Sequence, residues 1–346
     1  MNRAWQRRRL LASLLALPIT AVSAPARGAA SVGAASDVRP PYRVFMILYR
    51  GETEVEQGFR DYLRDHHVPV DITVRDIDHD LSRLAGVIAE AKAARPDLVY
   101  TWGTGITVSV LGEFDQASPL ANITDIPVLF TMVASPTGSR VLAAAGPSGR
   151  NFTGVSHIAP LDSQIRAMRA YRTVTRLAVI YNPTESNSEL SVRELGRLCK
   201  TERIELVVEP VPLDPAGRPR ADALPALVAE VATREPQFLY IGPDTFIGDN
   251  RDVLTSEASR HHLPVFTGTE LEIRTSGAMV GLVTNYYALG KFAGYKAERI
   301  LVDRVPAGNI PVETLGRFNY VVKMSVARAL GLYPPIALLD YAEIIP

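Results

Sequence analysis

The chain has 346 residues and carries 37 basic and 37 acidic side chains, so its formal net charge is zero. No basic patch or basic amphipathic segment stands out, and nothing therefore indicates a nucleic acid or an anionic membrane surface as a partner. Cys199 is the single cysteine, which excludes an intramolecular disulfide.

The N-terminus has the features of an export signal. Arg3 and the arginines at 7–9 form a positive region, and residues 10–22 form an apolar run that is too short to span a bilayer. We predict that residues 1–29 are a signal peptide that sends the protein to the periplasm. The general secretory route is one possibility, and the run from Arg7 to Leu11 loosely fits the twin-arginine route. Removing this segment takes away five arginines and no acid, which leaves a net charge of −5.

From Tyr42 onward, apolar strands alternate with helical patterns at a period of about thirty residues. Strands are predicted at 43–49, 70–74, 97–102 and 127–131, and helices at 54–66, 81–94 and from the Gly103-Thr104-Gly105 turn to Gln116. Alternation of this kind is typical of a parallel sheet with helices on both faces. The sequence therefore predicts an α/β fold.

The second half of the chain repeats the pattern of the first. Residues 176–195 align with 43–63, since each segment has a strand that ends in Tyr, a turn with Glu and Thr, and a helix. Residues 236–240 similarly echo 96–100, and 263–267 echo 126–131. Two matching halves predict two similar α/β lobes.

Further segments are predicted to connect the two lobes. These are a short strand at 151–156, a strand at 277–283, a helix at 285–305 that returns to the first lobe, and a tail from 318 that ends on the second. We predict an N-terminal lobe of residues 40–155 with 284–312, and a C-terminal lobe of residues 156–283 with 313–346.

Candidate binding residues follow the strand ends, because ligands of open α/β sheets bind outside the carboxyl ends of the strands. The candidates are Arg50, Glu52, Thr104 and Ser135 on one wall, and Asn182, Glu185, Asn187, Asp244, Thr269, Glu270 and Asn285 on the other wall and the hinge. Several of these residues precede helices and have capping as a competing role. For Arg50 and Glu52 the competing role is an ion pair with each other.

Motifs for catalysis, metals or nucleotides are weak. The loop at Gly103 lacks the spacing of the phosphate-binding glycine motifs, and the adjacent histidine pairs at 66–67 and 261–262 are not a pattern that ligates one metal. We therefore expect no metal and no cofactor. An alternative function is a secreted hydrolase, in which the carboxylates of Glu185, Asp244 and Glu270 supply the paired acids.

Four motifs carry a resemblance to a known family. They are Asn-Phe-Thr-Gly-Val-Ser at 151–156, Tyr-Asn-Pro-Thr-Glu-Ser-Asn-Ser at 181–188, Leu-Pro-Val-Phe at 263–266, and Tyr286 with Leu289-Gly290. In order and spacing the chain resembles the ABC-transporter substrate-binding proteins of the tryptophan/tyrosine-binding type, over roughly residues 43–345. It departs from the family pattern at Ala134-Ser135-Pro136, at Thr269-Glu270 and at Asn285, where relatives often have Asp, so the ligand stays open.

The resemblance implies a type I periplasmic binding fold, in which two Rossmann-like lobes joined by a three-stranded hinge close on a small-molecule ligand. It also implies delivery of that ligand to a membrane permease and its ATPase. On this basis we expect a monomer that binds a small polar solute, such as an amino acid or a related carboxylate, and performs no chemistry. A ligand-binding accessory protein for a membrane sensor is the alternative.

Overall fold

The computed structural model describes residues 40–346. The predicted signal peptide, residues 1–29, lies outside the described residues. The strands are β1 (Tyr42–Leu48), β2 (Val70–Asp76), β3 (Leu98–Trp102), β4 (Val128–Val133), β5 (Gly146–Pro147), β6 (Phe152–Ser156), β7 (Arg176–Tyr181), β8 (Glu205–Pro210), β9 (Phe238–Ile241), β10 (Val265–Thr267), β11 (Val280–Val283), β12 (Pro311–Thr314), β13 (Asn319–Lys323) and β14 (Glu343–Ile345).

The helices alternate with these strands over most of the chain. They are α1 (Glu54–Asp65), α2 (Leu84–Ala94), α3 (Thr104–Leu111), α4 (Leu161–Arg169), α5 (Ser186–Thr201), α6 (Leu224–Ala232), α7 (Thr245–Asp249), α8 (Arg251–Arg260), α9 (Glu270–Thr275), α10 (Tyr286–Leu301), α11 (Met324–Ala329) and α12 (Ile336–Leu339).

The strands form two seven-stranded sheets. The N-terminal sheet has the order β2-β1-β3-β4-β6-β12-β5, and the C-terminal sheet has the order β14-β13-β11-β10-β9-β7-β8. Pairing is parallel except between β5 and β12 and between β11 and β13. Five strands of each half, β1–β4 with β6 in the first and β7–β11 in the second, take the same relative order, as expected for a structural repeat. The prediction of an α/β fold with two mostly parallel sheets is confirmed.

Local sequence explains why these segments fold as they do. The strand β1 is an almost unbroken apolar run with six of its seven residues buried, as expected for a parallel strand covered on both faces. The following helix α1 begins with a capping box, in which Thr53 Oγ1 accepts the amide of Val55 at 3.2 Å and Glu56 Oε2 accepts the amide of Thr53 at 2.8 Å.

Each sheet, together with the helices on its faces, forms a lobe with apolar clusters on both sides. The chain passes between the sheets three times, after β6, between β11 and α10, and between β12 and β13. The first two passages are tied together, because Thr284 Oγ1 donates to the carbonyl oxygen of His157 at 2.6 Å. The residue boundaries predicted for the lobes stay a prediction.

The helix α10 follows the second passage and packs on α1 of the N-terminal lobe. A Cβ atom on Gly290 would lie 1.9 Å from the carbonyl oxygen of Val55, so glycine permits the two backbones to approach. Tyr62 donates its hydroxyl hydrogen to Glu298 at 2.8 Å across the same interface.

Two helices differ from their predicted limits. The helix α3 stops at Leu111 rather than at Gln116, because Gly112 takes a left-handed backbone conformation with φ of 68°. The helix α10 ends at Leu301 rather than at residue 305. Within residues 40–346, no helix is both long and apolar enough to cross a membrane.

Candidate functional site

The carboxyl ends of the two sheets face each other, and side chains make direct contacts between the lobes there. Arg50, in the loop after β1, places Nη1 2.9 Å from Oδ1 of Asp249 at the end of α7. His79 places Nδ1 3.7 Å from the other oxygen of Asp249. We call the region between these facing strand ends the interlobe cleft, and the lobes touch each other across it.

Ser135 makes a second contact across the interlobe cleft. Its hydroxyl donates to Glu194 Oε1 on α5 at 3.0 Å. The strand β4 reaches this position through a bulge, where the pairing register shifts between Thr131 and Val133 and Met132 has a φ of 57°. A bulge bends the strand, and bulges occur often beside binding sites.

Aromatic rings of the N-terminal lobe surround Arg50. Its guanidinium carbon lies 5.3 Å from the centroid of the Trp102 ring, and Tyr49 stacks on Trp102 with 6.4 Å between ring centroids. The Arg50 side chain is 16% exposed. A cation held against an aromatic face while it pairs with a carboxylate is well placed to hold the lobes together or to meet an acidic solute group.

Two buried polar atoms near Arg50 have no hydrogen-bond partner among the described residues. They are Nε1 of Trp102, at the end of β3, and Nδ1 of His157, just after β6. Burial first, and then the charge of Arg50, lower the pKa of His157 to about 3, so its ring is neutral. His157 also meets the Tyr286 ring edge-on, with 6.3 Å between centroids. Unsatisfied buried polar groups are rare in proteins and are candidates for ligand contacts.

Glu272 brings a buried carboxylate to the same region from the C-terminal lobe. The residue is 3% exposed, and its Oε2 accepts the hydroxyl of Thr269 at 2.5 Å and that of Thr267 at 3.3 Å. Burial raises the pKa of Glu272, and these hydrogen bonds and Arg50 oppose the rise.

The predicted residues of the loop after β7 come together, but mainly to bind one another and the start of α7. Glu185 accepts the amides of Thr245 and Phe246 at 3.0 Å each, and more weakly the side-chain amides of Asn182 and Asn187 at 3.3 Å each. Asn187 also donates to the carbonyl oxygen of Pro243 at 3.0 Å. Glu185 therefore acts on the N-terminus of α7, in the capping role weighed from the sequence.

Asp244 completes this loop network. Its carboxylate accepts the amide of Asn182 at 2.7 Å, the hydroxyl of Ser188 at 2.5 Å and the amide of Ile247 at 2.9 Å. Those hydrogen bonds lower its pKa, but burial and the negative charge of Glu185 outweigh them and raise the pKa of Asp244 to about 6. The network joins two loops of the same lobe.

Glu270 and Asn285 meet at the second passage between the lobes. Glu270 accepts the amide of Tyr286 at 2.5 Å, the side-chain amide of Asn285 at 3.1 Å and Nε of Arg274 at 2.7 Å. Asn285 in turn caps α10 by accepting the amide of Ala288 at 2.8 Å. Both side chains thus fix the start of the helix that returns to the N-terminal lobe.

The remaining candidate residues do not come together at one site. Thr104 is buried in the first turn of α3, and Thr269 binds Glu272 as described above. Glu52 lies on the surface and pairs with Arg60 of its own lobe at 2.6 Å. Arg50 and Glu52 therefore each have a different partner, and the suggested pairing between them was wrong. Within the described chain, no group of three or more His, Cys, Asp or Glu side chains is arranged to hold a metal ion.

Sequence reasoning missed several cleft residues: Tyr49, Trp102, His157, Asp249 and Glu272. The prediction selected polar residues that directly follow a strand. Tyr49 and Trp102 were missed because they are aromatic, and Asp249 and Glu272 because they lie on helices α7 and α9. A signal for Trp102 and His157 existed, since each stands at the carboxyl end of a predicted strand.

The family model for ABC transporter substrate binding proteins matches residues 46–345 of this chain. A tyrosine-binding protein of Clostridioides difficile is 23% identical over 279 residues, which cover 80% of this chain and 74% of the relative.

Solved structures share the fold. A conserved domain protein of Vibrio cholerae has a TM-score of 0.75 at 18% identity, and the match covers 88% of this chain and 99% of the other. A Streptococcus pneumoniae ABC domain in complex with L-Trp has a TM-score of 0.74 at 18% identity, with 88% and 100% covered. The match to the family model spans nearly all of the described residues, and the chain belongs to the ABC transporter substrate-binding protein family.

Proposed function

We propose that this protein is the extracytoplasmic solute-binding component of an ABC importer, and that it closes over a small polar solute in the interlobe cleft. Family membership supports the transport role. Two relatives, a tyrosine-binding protein and a domain in complex with L-Trp, make amino acids the first solutes to test. A permease and its ATPase would be the partners of a monomeric, periplasmic protein, which would bind the solute without changing it.

One observation carries the proposed location. Nε1 of Trp102 and Nδ1 of His157 are buried beside Arg50 without a partner among residues 40–346, at a point where two lobes meet. Each buried polar group left without a partner costs about 1–3 kcal/mol. A solute that supplies partners to these atoms removes that cost, and the solute is then bound more tightly by the closed form.

The three passages of the chain between the lobes act as the hinge about which the lobes open and close. Rotation about them separates the facing strand ends, because the direct contacts across the cleft that we describe are side-chain contacts: Arg50 and His79 with Asp249, and Ser135 with Glu194. A solute drives closure to the extent that it binds the closed form better than the open form.

Thermal-shift screening against amino acids, aromatic acids, purines and short peptides tests this function, followed by calorimetry of any solute that raises Tm. Trp102→Phe keeps an aromatic ring and removes Nε1, so we expect it to weaken binding about 10-fold. Tyr171→Phe is the control, because it also removes one buried polar atom, but the Tyr171 ring packs against Phe238 and Tyr320 in the C-terminal lobe.

Equal affinity of Trp102→Phe and the unaltered protein would contradict the proposed location. Mass spectrometry of the solute after incubation tests for binding without chemistry. An unchanged mass is expected, and a product would support the hydrolase instead.

A further inference from the structure

We infer that Glu272 recognises a cationic nitrogen of the solute, so that the interlobe cleft selects amines over acids and uncharged compounds. The inference rests on the proposed function and adds the chemical class of the solute. Neither the family match nor the relatives' names assign a role to Glu272.

The partners of Glu272 leave its charge without an ion pair, and Arg50, the cation that lowers its pKa, is itself paired with Asp249. Both donors to its Oε2 are neutral hydroxyls, those of Thr267 and Thr269. Its Oε1 accepts no hydrogen bond from any other described residue, and no Lys, Arg or His of residues 40–346 lies within ion-pairing distance. A buried carboxylate in this state is costly, and a cation is the group that offsets the cost best.

Other buried carboxylates of the protein are better matched. Glu270 has the guanidinium of Arg274 and a backbone amide. Glu56 lacks a cation, but both of its oxygens are used, Oε1 by the Tyr100 hydroxyl at 2.5 Å and Oε2 by Thr53. Glu56 also lies inside the N-terminal lobe, where it completes the cap of α1. Glu272 differs from both, because its only donors among the described residues are two hydroxyls and its own backbone amide.

Oε1 of Glu272 lies where the lobes meet. A Cβ atom on Gly248 would be 3.3 Å from Oε1 of Glu272 and 3.8 Å from Nη1 of Arg50, which comes from the other lobe. Arg50 is already paired with Asp249 at 2.9 Å. Arg50 thus joins the two lobes through Asp249, and the carboxylate of Glu272 keeps acceptor capacity for the solute.

Aromatic rings also lie near Glu272. Tyr286 is buried nearby, and the charge of Glu272 raises its pKa, second only to burial. The Tyr286 ring packs edge-on against His157, and the Trp102 ring packs against the guanidinium of Arg50. Aromatic faces attract ammonium groups, so carboxylate and rings together fit an amine.

Matched probes test the selectivity. Three scaffolds are each offered as amine, amino acid and acid: tyramine, L-tyrosine and 3-(4-hydroxyphenyl)propionate; tryptamine, L-tryptophan and indole-3-propionate; isopentylamine, L-leucine and 4-methylpentanoate. We expect calorimetric binding of amine-bearing members of at least one scaffold and no binding of the corresponding acid.

Binding of an acid as tight as that of its amine would overturn the inference. Absence of binding by all nine probes, with a sugar or another uncharged compound bound instead, would also overturn it but leave the proposed solute-binding function intact. Absence of any binder in the wider screen would count against both.

Glu272→Gln separates recognition from a structural role. The substitution keeps the size of the side chain and an acceptor for the threonines, and we expect it to weaken amine binding about 100-fold. It should also raise Tm of the unliganded protein, because it removes a buried charge that has no ion pair. A merely structural Glu272 predicts a lower Tm and unchanged affinity, and unchanged affinity alone overturns the inference.

Glu56→Gln is the matched control. It neutralises another buried carboxylate, away from the cleft, and glutamine can still complete the capping box. We expect it to leave amine affinity unchanged, and an equal loss of affinity in both variants would contradict a specific role for Glu272.

Discussion

Replacement of Glu185 by alanine tests whether the loop after β7 serves the fold or the solute directly. In the structure Glu185 accepts two backbone amides at the start of α7 and two side-chain amides of its own loop. The alanine variant leaves all four donors without this acceptor, while Asp244 still caps α7 through the amide of Ile247.

The magnitude follows from these contacts. A hydrogen bond to a charged group contributes about 1.5–3 kcal/mol when buried, but the loop is only partly buried and water replaces part of the loss. The contacts at 3.3 Å are also long. We therefore expect the free energy of unfolding to fall by about 2 kcal/mol, which corresponds to a drop in Tm of about 4–8 °C for a lobe of this size.

Circular dichroism melts and urea unfolding measure this change. Glu189→Ala is the control, because Glu189 is exposed one turn further along α5 and should cost less than about 0.5 kcal/mol. A Glu185→Ala variant with unchanged Tm but lost solute affinity would refute the reasoning, since that result identifies Glu185 as a ligand contact rather than a cap.

Two further perturbations follow from the contacts between elements. Asp249→Asn removes the ion pair that joins Arg50 to the other lobe. We therefore expect small-angle X-ray scattering to give a larger radius of gyration for the unliganded variant than for the unaltered protein. Equal radii would show that the ion pair does not hold the lobes closed. Gly290→Ala places a Cβ atom 1.9 Å from the Val55 carbonyl oxygen, so we expect the free energy of unfolding in urea to fall by about 3 kcal/mol or more. Gly86→Ala is the control: Gly86 is an exposed position of α2 where an added Cβ atom meets no atom within 4 Å, and the substitution should raise the free energy of unfolding by up to about 1 kcal/mol. Equal effects of the two glycine variants would contradict close packing of α1 and α10.

Strand and helix positions were accessible from the sequence because they depend on local patterns. The apolar run of β1 and the capping residues Thr53 and Glu56 act within a few residues of each other. The repeat of that pattern in residues 176–195 also predicted the second lobe. Limits such as the end of α3 at Leu111 were missed because the backbone of Gly112 ends the helix inside a longer helical pattern.

The candidate site was predicted in part. The loops were correctly expected at the carboxyl ends of strands, and polar residues such as Asn182, Glu185 and Asp244 do meet there. Their partners were not predictable, since loops from different strands supply them. Glu185, for example, binds amides sixty residues away in sequence. Whether these residues contact the solute stays a prediction.

The sequence by itself determined the α/β class, the two-lobed repeat and the family resemblance, because apolar periodicity and short motifs are encoded locally. Tertiary structure alone decided which side chains line the interlobe cleft. Arg50 and Asp249 are 199 residues apart, and their contact exists only because two sheets present their strand ends to each other. Burial, which sets the neutral state of His157 and raises the pKa of Glu272, is likewise a property of the packed lobes and not of any segment of the chain.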